Sequence, residues 1–247
     1  MNIGLYQSAA SLSALERWQE AVAQNITSSQ IPGFRKRTVE FASVEMGRLQ
    51  IDPKGKAING AAAAFPTTRL GVSFHPGETT PTRREMDVAI SGDGFFEIQQ
   101  ADGSRAYTRA GQFQLNSQRM IVARDNAPVL STAGTPIILQ PTGEALAISA
   151  DGALTQGDRQ LGRIKVVRFE DNQKLLPAGD NMYIAPEGMD PEPVERPSVL
   201  QGYIEESNVT PLREMISLVQ IARAYEANQK LITSRDQNLQ KALEVLG

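Results

Sequence analysis

The sequence predicts an α+β protein: N- and C-terminal helices paired as a coiled-coil-like domain, with a central, mostly antiparallel β domain between them. Three observations carry this. Apolar residues recur at helical spacing at both ends of the chain. The middle reads as short strands separated by glycine-rich turns. Few helical patterns interrupt those strands, so βαβ units with a parallel sheet are not implied. A chain of 247 residues, 40% of them hydrophobic, has the material for a packed core.

The first element spans about residues 3 to 30. Leu5, Leu12, Leu15, Val22 and Ile26 are spaced by three, four or seven, and the alanines at 9, 10, 14, 21 and 23 add helix propensity. Pro32-Gly33 stops the pattern, because proline disfavours the α conformation in the residue before it. The domain reading is therefore residues 1–31 as an N-terminal helix and 32–85 as a connector, with low-complexity Gly55–Ala64 and prolines at 66, 76 and 81. A central β domain at 86–185 follows, then a return connector at 186–209 and a C-terminal helix at 210–247. Strands are expected at Val88–Ile90, Phe95–Ile98, Arg105–Arg109, around Phe113 and Leu115, and at 120–122, 137–139, 146–148 and 164–169. Asp102-Gly103 and Asp151-Gly152 mark hairpin turns.

The C-terminal helix has the longest pattern. Thr210-Pro211 reads as an N-cap followed by proline at the first helical position, where its missing N–H costs nothing. Arg213 stands where a capping box would place an acid. Leu218, Ile221, Tyr225, Asn228, Ile232, Arg235, Leu239, Ala242 and Leu246 then alternate by threes and fours as a coiled-coil-like seam. Asn228 and Arg235 interrupt it, either to fix register or simply to face solvent or a lumen. Seams this long at both ends can cover each other. That pairing still leaves Leu212, Ile216 and Val219 uncovered, and uncovered apolar helix surface points to partner helices.

Material for chemistry is sparse. There are no cysteines, which excludes disulfides and thiolate metal sites, and the one histidine, His75, sits beside Pro76-Gly77 without a partner cluster or a nucleophile elbow. Gly92-Asp93-Gly94 follows a strand, but Phe95-Phe96 begin another, so the glycines read as a tight turn rather than a phosphate cradle. Asp87, Asp93 and Glu97 read as turn or edge carboxylates rather than a glycosidase pair. A net charge of -3 argues against nucleic acid, and the run Arg35-Lys36-Arg37 reads as a solvated edge. No cofactor or metal is expected. No apolar stretch reaches the roughly 20 residues of a membrane span, and Met1–Gln7 lacks the pattern of a cleaved signal.

Three motifs in order resemble the flagellar rod and hook family of bacterial axial proteins. The first is Ala23-Gln24-Asn25-Ile26 with Ile31-Pro32-Gly33-Phe34-Arg35, in which Gln24, Thr27-Ser28 and Ile31 depart from the usual pattern. The second is Met86-Asp87-Val88-Ala89-Ile90-Ser91-Gly92-Asp93-Gly94-Phe95-Phe96 with Tyr107–Phe113. The third is Glu206-Ser207-Asn208-Val209 with Met215, Arg223-Ala224-Tyr225-Glu226-Ala227-Asn228 and Lys230. Chain length and a single modest β domain are most like the proximal rod member, then the distal rod member. The resemblance implies a non-enzymatic structural subunit of the rod, which spans the periplasm and transmits torque from motor to hook. It also implies terminal helices packed with copies of the chain and other rod proteins, and passage unfolded through the flagellar export apparatus. Two other readings predict different behaviour: a secreted β-rich adhesive protein with a helical oligomerisation stalk, and a carbohydrate-active enzyme dependent on Asp87 or Asp93.

Overall fold

The computed structural model describes residues 3–46, 63–141, 144–179 and 181–246. The low-complexity stretch expected at 55–64 lies outside these apart from Ala63 and Ala64. The fold is α+β, and every strand pairing is antiparallel. The chain separates into two compact units, each assembled from discontinuous segments.

The helical unit holds Met1–Thr27, Arg37–Val72 and Thr210–Gly247. Helix α1 is Ile3–Thr27 and helix α2 is Pro211–Leu246. Thr210 and Pro211 start α2 as their chemistry dictates: the Thr210 carbonyl accepts from the N–H groups of Arg213 and Glu214. Between the helices in sequence, strand β1 (Arg37–Met46) pairs with strand β2 (Ala63–Val72) over ten residues each. The expected connector therefore contains a long two-stranded ribbon. Pro66 reads as a breaker, yet a ribbon of two strands has a free edge on each, where a missing N–H is tolerated. The ribbon lies against α1: the rings of Trp18 and Phe41 meet edge to face at 5.6 Å, and Arg17 donates to the Thr68 hydroxyl at 3.3 Å.

The β unit holds Ser28–Lys36 and Ser73–Val209. Its largest sheet runs in the order 176–177, 182–184, 105–108, 95–99, 166–168, 192–193. The strand at Glu192–Pro193 closes one edge, so the proline- and acid-rich return segment is partly built into the sheet. A three-stranded sheet (146–148, 153–156, 159–163) and short pairs 88–90 with 199–201, 79–81 with 203–205 and 114–115 with 121–122 complete it. Residues 137–139, expected as a strand, make a bridge through Ile138 to Met120 instead, with Ile137 and Leu139 buried.

Alternation along Phe95–Gln99 divides two cores. Phe96 and Ile98 join Val88, Val129, Leu154, Ile164 and Val166 in an aliphatic cluster. Phe95 faces the other way, into rings of Phe74, Phe169 and Tyr183 at 5.9–6.0 Å, with Tyr107 on Phe169 at 4.8 Å. Glu97 shares that second face in the middle of the sheet, fully buried, and its carboxylate is paired with Lys165 (2.9 Å) and Arg105 (3.2 Å). It is not the edge carboxylate expected. A central strand must bury it, and two cations compensate.

Candidate assembly interface and the residues that anchor it

In the helical unit the seam is used within the chain. Leu15, Val22 and Ile221 form its buried centre, with Trp18, Ile26, Leu218, Ala224 and Tyr225 packed around them. Asn228 donates from Nδ2 to the Ser11 hydroxyl at 3.1 Å. Leu12 and Ile232 are half-buried, and Arg235 is exposed. The side chains of Leu5, Leu239 and Leu246 lie outside those described. Ser11 bonds Asn228 and Asn25 bonds Glu214, so each bonded pair of residue numbers totals 239, which fixes an antiparallel register. In that register Ile3 lies level with residue 236. Helix α2 then runs about ten residues, or about 15 Å, past the first described turn of α1.

Covering the seam leaves a second stripe of α2 in solvent. Leu212 is 68% exposed, Met215 and Ile216 are 53% exposed and Val219 is 54% exposed. Their spacing of three, four and seven places them along one face of the helix. Glu226, from the same motif as Tyr225, is exposed beyond it.

The motif residues Asn25 and Asn208 perform matching tasks. Asn25 is fully buried; its Oδ1 accepts the Arg37 N–H at 2.8 Å, and its Nδ2 donates to the Arg37 carbonyl at 2.9 Å and to Glu214 Oε2 at 3.0 Å. An amide is the side chain that offers one acceptor and two donors from a single planar group. Glu214 is buried in the first turn of α2, where the helix dipole also favours a carboxylate. Sequence reading passed over it because it stands one residue beyond the capping-box position. In the β unit, Asn208 accepts the Lys36 N–H at 2.6 Å and donates to the carbonyls of Ser73 and His75, both at 2.8 Å.

Gly33, Phe34 and Arg35 of the Pro32-Gly33-Phe34-Arg35 motif are buried in the β unit, and Pro32 is half-buried. Gly33 has φ +71, and a Cβ there would fall 2.4 Å from the Ala110 nitrogen; its own N–H donates to the Glu205 carbonyl at 2.7 Å. Arg35, expected at a solvated edge, is instead almost wholly enclosed. It donates to the His75 carbonyl at 2.9 Å and pairs with Glu205 Oε1 at 2.6 Å. Arg109 reaches the other oxygen, Oε2, at 3.4 Å. It also donates to the carbonyls of Ile90 and Gly92 and stands 5.7 Å over the Phe95 ring. Burial lowers the Arg109 guanidinium to about 10; Glu205 opposes that shift and Arg35 adds to it. Gly92 and Gly94, at φ +104 and +129, turn the chain as expected, with Asp93 exposed between them.

This is the chemistry of anchoring. Among the described residues no group of histidines and carboxylates could hold a metal ion, and no helix is long and apolar enough to cross a membrane. One open hollow of about 450 Å³ is lined by hairpin-tip residues such as Gln100, Asp102, Asp125 and Asn126.

Comparison with known proteins bears on the same segments. Residues 200–245 match the family model described as flagellar basal body rod FlgEFG protein C-terminal, and residues 89–156 match the flagellar hook protein FlgE/F/G D1 domain. The chain is 32% identical to the flagellar basal-body rod protein FlgF of Caulobacter vibrioides over 249 residues, covering 100% of this chain and 99% of that one. It is 33% identical to FlgF of Rhizobium meliloti, with 100% and 99% covered. It is 29% identical to the rod protein FlgG of Buchnera aphidicola subsp. Acyrthosiphon pisum, with 96% and 97% covered. With relatives aligned from end to end, the chain belongs to the flagellar basal-body rod protein family as a FlgF-like structural subunit of the rod, not an enzyme.

Proposed function

We propose that the helical unit is the polymerising element of this rod subunit. Helices of neighbouring copies and of other rod proteins cover the Leu212–Met215–Ile216–Val219 stripe and the overhang of α2 in a coiled-coil-like packing, and torque passes from motor to hook through that packing. The observation that carries the reading is the stripe itself: four large apolar side chains, each more than half exposed, on a helix whose other face is already buried. Full burial of such a side chain is worth about 1.5–3 kcal/mol, so covering the remaining half of four of them contributes about 3–6 kcal/mol. Association costs about 4–15 kcal/mol in lost freedom, so one such contact does not hold two subunits together. A tube, in which each subunit meets several neighbours at once, does. The subunit is thus monomeric before assembly and ordered into a polymer on arrival. Export as an unfolded chain belongs to the same reading, and the lack of cysteines suits it.

The experiment is Ile216→Asp. The isolated chain should keep its helical circular dichroism and its melting behaviour, while basal bodies lack the subunit and cells lose motility. Normal rods carrying the aspartate would end the proposal.

A further inference from the structure

We propose that residues Ser28–Lys36 form a strap held in the β unit by charge, with Glu205 as the carboxylate that both Arg35 and Arg109 require. The strap leaves α1 at Thr27 and enters β1 at Arg37, so both its ends continue into the helical unit while its middle is buried in the β unit. Among the described residues its one buried apolar side chain is Phe34, with Ile31 and Pro32 half-buried. Much of the rest that fastens it is polar. Gly33 donates to the Glu205 carbonyl, Asn181 donates to the Pro32 carbonyl at 3.3 Å, Asn208 holds Lys36, and the Ser73 N–H donates to the Lys36 carbonyl at 2.8 Å.

At the centre, two guanidiniums flank one carboxylate in a site closed to water, with side-chain exposures of 1% for Arg35, 5% for Arg109 and 2% for Glu205. The cluster carries an excess positive charge, and among the described residues the Nε of each arginine has no hydrogen-bond partner. Such a site holds two cations only while the anion is present. Arg109 is fastened to the framework by the carbonyls of Ile90 and Gly92, whereas Arg35, among the described residues, has the His75 carbonyl besides Glu205. Loss of the carboxylate therefore expels the strap and leaves the sheet. This inference stands on contacts within the β unit and is independent of the assembly reading.

Hydrogen exchange on the full chain tests it. Strap reporters are the amides of Gly33, Lys36 and Ser73; framework reporters are those of Glu97, Leu130 and Lys165, all bonded within the sheet region. In Glu205→Gln, which keeps the shape and one acceptor, strap amides should exchange about tenfold faster or more, while framework amides stay within about threefold. Adding Arg35→Met removes the stranded cation and should return the strap rates to within about threefold of the parent. Strap and framework amides accelerating together, no acceleration, or no recovery in the double variant would each overturn the strap. If Glu205→Gln alone does not fold, the double variant decides: a folded chain with protected strap amides upholds the proposal, and continued failure overturns it.

Discussion

The two units solve the problem of burial differently. The β unit encloses an aliphatic cluster on one face of its main sheet and an aromatic one on the other. The helical unit has a narrow centre of Leu15, Val22 and Ile221 and leaves side chains of the same kinds, Leu212, Ile216 and Val219, more than half exposed. A sheet buried on both faces is self-sufficient; a helix pair with one seam is marginal, since helices draw most of their stability from packing. The contrast implies an isolated subunit with a firm β unit and a labile helical unit, and the sequence supplies a probe for it. Trp18, the single tryptophan, packs at the helical seam, so its fluorescence follows the helical unit alone. In urea its transition should precede loss of the aromatic circular dichroism of the β unit; one coincident transition would erase the distinction.

The largest effect should come from Gly111→Ala. A Cβ there would sit 1.6 Å from the Val88 carbonyl oxygen, and the Val88 N–H is already bonded to the Gly111 carbonyl at 2.9 Å, so the two backbones cannot part without breaking that bond. Destabilisation of about 4 kcal/mol or more is expected, in the β-unit transition and not in that of Trp18. Asn25→Ala is its counterpart in the helical unit. It removes three hydrogen bonds, to the Arg37 N–H and carbonyl and to Glu214 Oε2, and should cost about 3–5 kcal/mol, read as an earlier Trp18 transition with the β unit unmoved. Asn25→Asp tests whether the donated bond or the shape matters: it keeps the shape but replaces the Nδ2 donor with a second oxygen set against Glu214, so its loss at pH 7 should be at least as large as alanine's. A smaller loss than alanine's would mean that shape, not the donated bond, is what the site needs.

How much of this the sequence discloses follows from range. The bounds of α2, the turns at Gly103 and Gly152 and the exposure of Leu212, Ile216 and Val219 all follow from local spacing and turn chemistry, and the structure places them so. The β1–β2 ribbon is hidden because Pro66 interrupts the segment that becomes β2, and the alternation of Val39 and Phe41 around Glu40 in β1 has no visible partner without it. The charge cluster is hidden for a stronger reason. Positions 35, 109 and 205 have no periodic relation, and a basic run such as Arg35-Lys36-Arg37 carries no local sign that its first member is enclosed. Asn25 and Asn208 stand out as motif residues, but the tasks they perform are set by Arg37, Glu214, Ser73 and His75, which only the fold brings to them.

The smallest effect is alkaline and concerns the β unit alone. Burial, with the Glu97 carboxylate adding to it, raises the Tyr107 phenol above its usual value near 10. Above pH 10 the unfolded chain gives up that proton before the folded one, so the folded state binds more protons and stability falls as pH rises. Arg109 acts in the opposite sense: lowered to about 10, it loses its proton first in the folded state, and stability rises as the pH climbs above about 10. Replacing Tyr107 by phenylalanine keeps the edge-to-face contact with Phe169 and removes only the first of these. At pH 7 the variant should match the parent within about 1 kcal/mol. Between pH 10 and 11 it should lose less stability than the parent, by at most about 1.4 kcal/mol per pH unit. Parallel stability curves for the two proteins across that range would mean that the Tyr107 phenol is not shielded as its position in the sheet requires, and the β unit would be less closed than its aromatic face implies.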